Sequence, residues 1–204
     1  EGFSWSFDTE NKTLTIKGEG DIPEGALSYQ SFPWKDDVND IQYIYLDGIT
    51  SSGSVNSKYS LDKIQTISGR YGKDITWQLD IVNQSFTVEG TGEAEASPWN
   101  FLVSTANSVS ANIFYLKTAV FGQNLTKVAS VGYVISTLDI GKTDYAFMQG
   151  CSNVIASPDN PYFSTYDGAL YTKGVKKLLY YPVRDALPKF HPDLKIIRAQ
   201  CLSL

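Results

Sequence analysis

Two carboxylates occupy matching positions in the chain and could form an acid pair. Asp8 follows Trp5 by three residues, and Asp80 follows Trp77 by the same spacing. Two carboxylic acids that flank a glycosidic bond are the usual machinery of glycoside hydrolysis. A residue set that recurs together with its surroundings is, however, more typical of a repeated scaffold, in which an Asp side chain caps a turn. The repetition therefore favours turn capping over catalysis at both positions.

The single histidine, His191, restricts the other catalytic chemistries. Any Ser-His-Asp or Cys-His centre would have to use it, yet residues 190–193 are typical of an exposed loop. Cys151 and Cys201 lie 50 residues apart and match no zinc-binding spacing. Both a disulfide between them and two buried free thiols are compatible with the sequence. We therefore predict no catalytic residue, no metal site and no cofactor.

The charge and hydropathy of the chain argue against two further classes of protein. Nucleic-acid binding needs a clustered basic face, whereas this chain has a net charge of -5 and its densest basic stretch, residues 173–177, holds three lysines. No apolar run approaches the roughly 18 residues of a membrane-spanning helix. A hydrophobic content of 42% suits a folded core. We expect a folded protein with no nucleic-acid partner and no membrane span in this chain.

Aromatic side chains are the remaining candidates for binding. The chain has 13 tyrosines and 4 tryptophans, which could stack on sugar rings or fill a protein-binding patch. Alternation within one predicted strand places Ile44 and Leu46 on one face and Tyr43 and Tyr45 on the other. If the aliphatic face is the core, these tyrosines face outward, in register with Tyr115 of another strand; burial of both faces is the alternative. The tryptophans, which recur, are expected in the core.

A repeated unit positions these residues. Each copy has a Trp-x-x-Asp segment, an alternating apolar run, a Gly-x-Gly and a Pro-Trp, and 13 residues separate the Trp from the first Gly in both copies. Repetition at fixed spacing indicates a modular architecture. The four features lie at 5–8, 13–16, 18–20 and 33–34 in the first copy and at 77–80, 85–88, 90–92 and 98–99 in the second.

Short alternating runs, separated by Gly, Asn, Asp and Ser clusters, indicate a mainly β chain. Residues 8–12 and 81–84 are predicted to form hairpin turns, and Asp167-Gly168 another. The predicted strands are 4–7, 13–17, 41–46, 63–67, 76–80, 85–89, 113–116, 127–131, 134–140, 153–157, 169–172, 177–181 and 195–198.

The pattern changes from about residue 128. An apolar strand ending in Ile140-Gly141 is followed by Ala146-Phe147 and Cys151, and residues 160–182 contain Asp-Gly-x-Leu-Tyr and a later Tyr-Pro. These motifs resemble the coils of BspA-like leucine-rich repeat proteins, a family of bacterial cell-surface proteins. Residues 100–130 fit the repeat poorly, and about two coils are discernible. The expected fold is mainly β, with tandem β units followed by a short leucine-rich-repeat solenoid.

This fold implies three segments: a first β unit at 1–72, a related unit at 73–127, and leucine-rich-repeat coils at 128–204 that are expected to stop within a repeat. The resemblance implies a non-enzymatic, extracellular or cell-surface protein used in cell adhesion, with a host or matrix protein or a surface glycan as partner. The expected ligand-binding residues are Tyr43, Tyr45 and Tyr115. The alternatives are a carbohydrate-active enzyme using a carboxylate pair and a purely structural spacer.

Overall fold

The computed structural model describes residues 2–22, 34, 36–37, 39–51, 63–99, 115–132, 134–144, 151–182, 185–186 and 189–198. Within these ranges the regular structure is β, and the prediction of a mainly β chain is confirmed. The strands are β1 (Ser4–Asp8), β2 (Thr13–Asp21), β3 (Tyr43–Ser51), β4 (Thr66–Tyr71), β5 (Ile75–Asp80), β6 (Ser85–Glu89), β7 (Gly92–Ala94), β8 (Tyr115–Phe121), β9 (Leu125–Val128), β10 (Val134–Asp139), β11 (Asn153–Ile155), β12 (Phe163–Tyr166), β13 (Ala169–Thr172), β14 (Lys177–Tyr180) and β15 (Ile196–Ile197).

A nine-stranded sheet dominates the described structure, in the order β1-β2-β3-β4-β5-β6-β8-β10-β11. The pairs β1–β2, β4–β5 and β5–β6 are antiparallel, and the other neighbours in this sheet are parallel. Parallel strand pairs therefore occur before residue 128, at β2–β3, β3–β4 and β6–β8, as well as after it. Strands β12 to β15 form a second sheet, and β7 pairs with β9 in a small third one.

The strands of the large sheet align their side chains in rows that cross the whole sheet. One inward row joins the core side chains of all nine strands, since alternate residues point to opposite faces. Burying each large apolar side chain of this row stabilises the fold by roughly 1.5–3 kcal/mol. The row consists of Phe7, Leu14, Ile44, Ile67, Leu79, Phe86, Ala119, Leu138 and Val154.

The predicted hairpin turns at residues 8–12 and 81–84 are confirmed, and in both an Asp side chain caps the turn. Asp8 Oδ1 accepts hydrogen bonds from the main-chain N–H groups of Glu10 and Asn11, both at 3.0 Å. Asp80 Oδ1 accepts one from Asn83 at 2.8 Å. In each turn the Asn side chain also donates to Oδ2 of the Asp. The two repeated carboxylates therefore cap turns, which is the role that their repetition in the sequence favoured over catalysis.

A third copy of the hairpin occurs at β13–β14, where the sequence analysis found none. Seven residues separate Tyr171 from Leu178, as they separate Phe7 from Leu14. In all three copies the carbonyl of the last turn residue accepts two N–H groups from the next parallel segment. These bonds join Lys12 O to Gln42 N and Tyr43 N, Gln84 O to Lys117 N and Thr118 N, and Lys176 O to Lys195 N and Ile196 N.

The third copy was missed because its side chains differ from those of the other two. Ala169 and Thr172 stand where the first copy has Trp5 and Asp8. The turn of the third copy contains Gly174 with a φ of 80°, a backbone conformation that favours glycine. Strands β7 and β12 were also absent from the prediction, although the Asp167-Gly168 hairpin turn between β12 and β13 is confirmed.

The expectation that the tryptophans all lie in the core is wrong for Trp5. Trp34, Trp77 and Trp99 are buried, whereas Trp5 is exposed on the terminal strand β1. Its position explains the difference, because Trp77 lies on β5 between β4 and β6, whereas among the described strands β1 pairs with β2 alone. Several residues on which the sequence analysis relied lie outside the described ranges: Pro33, Ala146, Phe147 and Cys201.

Candidate binding face

The outer surface of strands β2, β3 and β4 carries the tyrosines that the sequence analysis singled out. In β3 the side chains of Ile44 and Leu46 are fully buried, and those of Tyr43 and Tyr45 point to the other side. Tyr43 is 37% exposed, so burial of both faces is wrong for this strand. Two residues apart on one strand, the tyrosines project side by side, about 7 Å apart along the chain.

A chain of hydrogen bonds orients the phenol of Tyr43. Its hydroxyl donates to Oε1 of Gln65 at 3.0 Å, and Nε2 of Gln65 donates to Oε1 of Gln42 at 3.1 Å. The three side chains come from β3 and the segments that precede β3 and β4. Because the ring is held from its far end, less rotamer freedom remains to be lost when a ligand contacts it.

A row of alternating charge crosses the same three strands. Asp47 in β3 lies directly between Lys17 of β2 and Arg70 of β4. Arg70 Nε is 2.7 Å from Asp47 Oδ1, and Lys17 Nζ is 3.9 Å from Oδ2. The hydrogen bond and the charge of Asp47 raise the pKa of Arg70, and the nearby Tyr45 adds to that rise. The outward surface therefore combines two phenols with a guanidinium and an ammonium group.

Tyr115 is exposed but does not join this surface. In the row that contains Tyr43, strand β8 contributes Thr118. Strands β3 and β8 are four strand-to-strand steps of about 4.8 Å apart, which gives about 19 Å. The main-chain oxygen of Gln84 accepts hydrogen bonds from both Lys117 and Thr118, so β8 begins with one extra residue, as in a β-bulge. Because of this extra residue, Tyr115 does not align with Tyr43 and Tyr45. A binding role for Tyr115 remains a separate prediction.

The geometry of Asp8 and Asp80 does not suit glycoside hydrolysis. Both lie in one row, with Thr13, Tyr43 and Thr66 between them. Four steps of about 4.8 Å place them about 19 Å apart. The acid pair of a glycosidase lies roughly 5 to 9.5 Å apart. This pair therefore cannot act together on one glycosidic bond, and the turn bonds already occupy both carboxylates.

His191 is not the exposed loop residue that was expected. Its ring packs edge-on against Tyr166 at 4.8 Å, and its main-chain N–H donates to the hydroxyl of Tyr171 at 3.2 Å. Nδ1 accepts the N–H of Asp193 at 3.1 Å, which places the proton of the neutral ring on Nε2. These contacts give the imidazole a packing role at the end of the second sheet.

Cys151 is a buried free thiol. Its burial raises the pKa to about 11, so the reactive thiolate is scarce at neutral pH. In the part of the chain that the structure describes, no three His, Cys, Asp or Glu side chains are grouped so that they could hold a metal ion. The described segments also contain no helix with the length and hydropathy that a membrane crossing requires.

No protein-family model matches this chain, and no curated protein matches it significantly. Among solved structures, a leucine-rich repeat protein from Eubacterium ventriosum is similar over 97% of this chain and 54% of its own length, at 15% identity and a TM-score of 0.42. The pneumococcal vaccine antigen PcpA is similar over 96% of this chain and 58% of its own length, at 14% identity and a TM-score of 0.29. The chain spans little more than half the length of either protein.

Proposed function

We propose that this chain is a non-enzymatic binding module of a secreted or cell-surface protein, and that the outer surface of β2–β4 contacts its ligand. The observation that carries the proposal is the exposed phenol of Tyr43, held by Gln65, beside Tyr45 and the charged row through Arg70. The resemblance of residues 138–182 to BspA-like coils supports the same class of protein. The ligand is a host or matrix protein or a surface glycan.

Tyrosines suit such a surface because each offers a large apolar ring with a polar end. A ring that is already oriented loses little conformational entropy on binding, which favours affinity. Charged groups next to the rings guide the approach and orientation of a partner more than they strengthen the final complex. Arg70 supplies the planar donor that pairs best with a carboxylate.

The neighbours of the tyrosines favour a glycan among the possible ligands. Thr13 and Thr66 lie on either side of Tyr43, and Thr15 and Ser68 lie on either side of Tyr45. Rings for stacking, flanked by hydroxyl groups that both donate and accept hydrogen bonds, match the alternating apolar and hydroxyl surfaces of a sugar. An acidic sugar would also meet Arg70.

The experiment is a glycan and extracellular-matrix array, probed with the purified chain and with a Tyr43→Ala/Tyr45→Ala double variant. Tyr162→Ala is the matched control, since Tyr162 is exposed on the C-terminal side of the chain. We expect specific signals that fall at least tenfold in the double variant and persist in the control, with unchanged circular dichroism. Signals unaffected by the double variant would place the binding surface elsewhere.

The same array separates the alternatives. A Tyr115→Ala variant tests the third predicted residue by itself, and loss of signal there alone would move the site to β8. No signal with any ligand would favour a structural spacer. Release of new reducing ends from a bound glycan would show a carbohydrate-active enzyme, which would need residues other than the pair Asp8 and Asp80.

A further inference from the structure

The charged row beside Tyr45 exposes its cations and shields its carboxylate. The side chains of Lys17 and Arg70 are 69% and 58% exposed, whereas that of Asp47 between them is 15% exposed. Each oxygen of this carboxylate is turned towards one of the two cations. A ligand that approaches the outer surface of β2–β4 therefore meets positive charge first, although the chain as a whole carries a net charge of -5.

Arg70 is the better placed of the two cations to hold an anion. Its neighbour in the row on the other side is Thr76 of β5, which offers a hydroxyl group and no charge. Lys17, by contrast, is followed two residues later on β2 by the exposed side chain of Glu19. A guanidinium has five N–H donors in a planar fork. Because the contact of 2.7 Å with Asp47 is made at Nε, donors on the terminal nitrogens of Arg70 remain for a ligand.

Two side chains of β3 hold this guanidinium in place. The pKa of Arg70 is raised by its hydrogen bond to Asp47, by the charge of Asp47 and, to a smaller extent, by Tyr45. The phenol of Tyr45 therefore lies close to the guanidinium. An aromatic ring and an oriented guanidinium thus stand side by side, the first suited to the face of a sugar ring and the second to a carboxylate on that ring.

We propose that the sugar bound at this surface carries a carboxylate, and that Arg70, positioned by Asp47, selects it over a neutral sugar. This inference rests on the binding function proposed above and specifies the ligand class of the same surface. Thr15 and Ser68, on either side of Tyr45, favour a sugar over an acidic protein segment, because their hydroxyl groups can pair with those of the same ring. Arginine pairs with both oxygens of a carboxylate at once, which a hydroxymethyl group in the same place cannot match.

The test compares acidic glycans with their own carboxyl-reduced forms, in which a hydroxymethyl group replaces the carboxylate. The probes are sialyllactose, an oligogalacturonate and a hyaluronan oligosaccharide, each titrated against the intact chain by isothermal calorimetry. We expect at least one acid to bind at least about tenfold more tightly than its reduced form. The difference should shrink as salt is added, since the charges of this row are exposed.

Variants of the chain separate the selectivity from the binding itself. Arg70→Gln should abolish the preference for the acid and leave the affinity for the reduced form unchanged, whereas Tyr43→Ala/Tyr45→Ala should weaken both. Lys127→Gln is the matched control, since Lys127 is also an exposed cation paired with carboxylates but lies on β9 in another sheet. Circular dichroism of each variant checks the fold. A preference that survives in Arg70→Gln would overturn the role of this residue.

Asp47→Ala tells positioning from simple charge attraction, because the two predict opposite changes. Removing a carboxylate makes the surface more positive, so charge alone would tighten the binding of an acid. If Asp47 holds the guanidinium in place, its removal weakens that binding instead, and we expect a loss of at least about threefold. Tighter binding of the acid to Asp47→Ala would overturn the positioning role.

The remaining outcomes distinguish this inference from the function on which it rests. Equal affinity within every pair would overturn the selectivity and leave a sugar-binding surface in place. A polyglutamate peptide that binds as tightly as the best acidic glycan would overturn the choice of a sugar. No binding of any acidic probe would overturn the inference, while the array with the Tyr43→Ala/Tyr45→Ala variant would still decide the proposed function.

Discussion

The side-chain amide of Asn160 donates a hydrogen bond of 3.0 Å to the main-chain oxygen of Thr143, 17 residues earlier in the chain. It donates a second bond to Gly141 O at 3.1 Å, and its Oδ1 accepts the N–H groups of Tyr162 and Phe163. The side chain is fully buried and uses both donors and both acceptor sites. One amide thus ties the end of β10 to the start of β12.

Replacing Asn160 is therefore expected to destabilise the chain strongly. Asn160→Leu leaves two buried carbonyls, the buried N–H of Phe163 and the partly buried N–H of Tyr162 without this partner, and each unpaired buried group costs about 1–3 kcal/mol. We expect a loss of at least about 3 kcal/mol in the free energy of unfolding, measured by urea titration. Asn39→Leu, at an exposed turn, is the matched control. A loss below about 1 kcal/mol would show that water replaces the amide.

The two equivalent tryptophans should differ in their contribution to stability. Trp77→Ala removes a buried side chain and is expected to cost about 3–5 kcal/mol. Trp5→Ala removes a side chain that is 41% exposed on the terminal strand of the described sheet, so its cost should be well under half of that. Urea unfolding of both variants measures the difference. Equal losses would contradict the difference in burial between the two side chains.

The cap of the first hairpin should make stability depend on pH in the acid range. The main-chain and side-chain hydrogen bonds from Asn11 lower the pKa of Asp8 below its usual 3.8. A lowered pKa in the folded state means that the stabilisation is present above the unfolded-state pKa and is lost as pH falls through the folded-state value. A carboxyl NMR titration should show the lowered pKa, and Asn11→Ala, which removes the side-chain bond but keeps the main-chain one, should raise it part of the way towards 3.8.

The hydrogen bonds of Asp8 can also be separated from its charge. Asp8→Asn keeps an oxygen that can accept the N–H groups of Glu10 and Asn11, so the hairpin should persist in this variant. Its stability should no longer vary with pH through Asp8. A pKa of Asp8 that is unmoved by Asn11→Ala would contradict the contribution of the side-chain hydrogen bond from Asn11.

Cys151 should be inert in the folded chain. Burial raises the pKa of its thiol from 9.0 to about 11. A raised pKa in the folded state means that the stabilisation is complete below the unfolded-state pKa of 9.0 and is lost as pH rises through about 11. We expect reaction with a thiol reagent at pH 8 to require unfolding, as mass spectrometry of the labelled peptide would show. Rapid labelling of Cys151 in native buffer would contradict this burial.

Alternation and turn chemistry predicted part of the local structure, namely the two faces of β3 and the turns at residues 8–12 and 81–84. The alternation of Tyr43, Ile44, Tyr45 and Leu46 correctly gave the two faces of β3, since one face must pack against the core. The spacing of Asp8 and Asp80 within their repeats correctly gave the turns. Both inferences depend on neighbours within a few residues, where the chain itself restricts the geometry.

Alternation and turn chemistry could not predict which distant strands pair with one another. The order of the sheet places β6 beside β8, and a doubly accepting carbonyl at Gln84 shifts the register of Tyr115. Nothing in the residues near Tyr115 signals that shift. The exposure of Trp5 likewise depends on the position of β1 as the terminal strand of the described sheet, which the identical Trp-x-x-Asp spacing of the two copies does not reveal.

The antiparallel hairpins determine how the sheet would extend if further units of the same kind were added. Strand direction reverses from β4 to β5 and reverses again from β5 to β6, so β6 runs the same way as β4. Each further unit of this kind would lengthen the outward surface by about 4.8 Å per strand without turning it over. The length of an extended partner that this surface can contact would then increase with the number of units. Weak contacts repeated at regular intervals would combine into avidity.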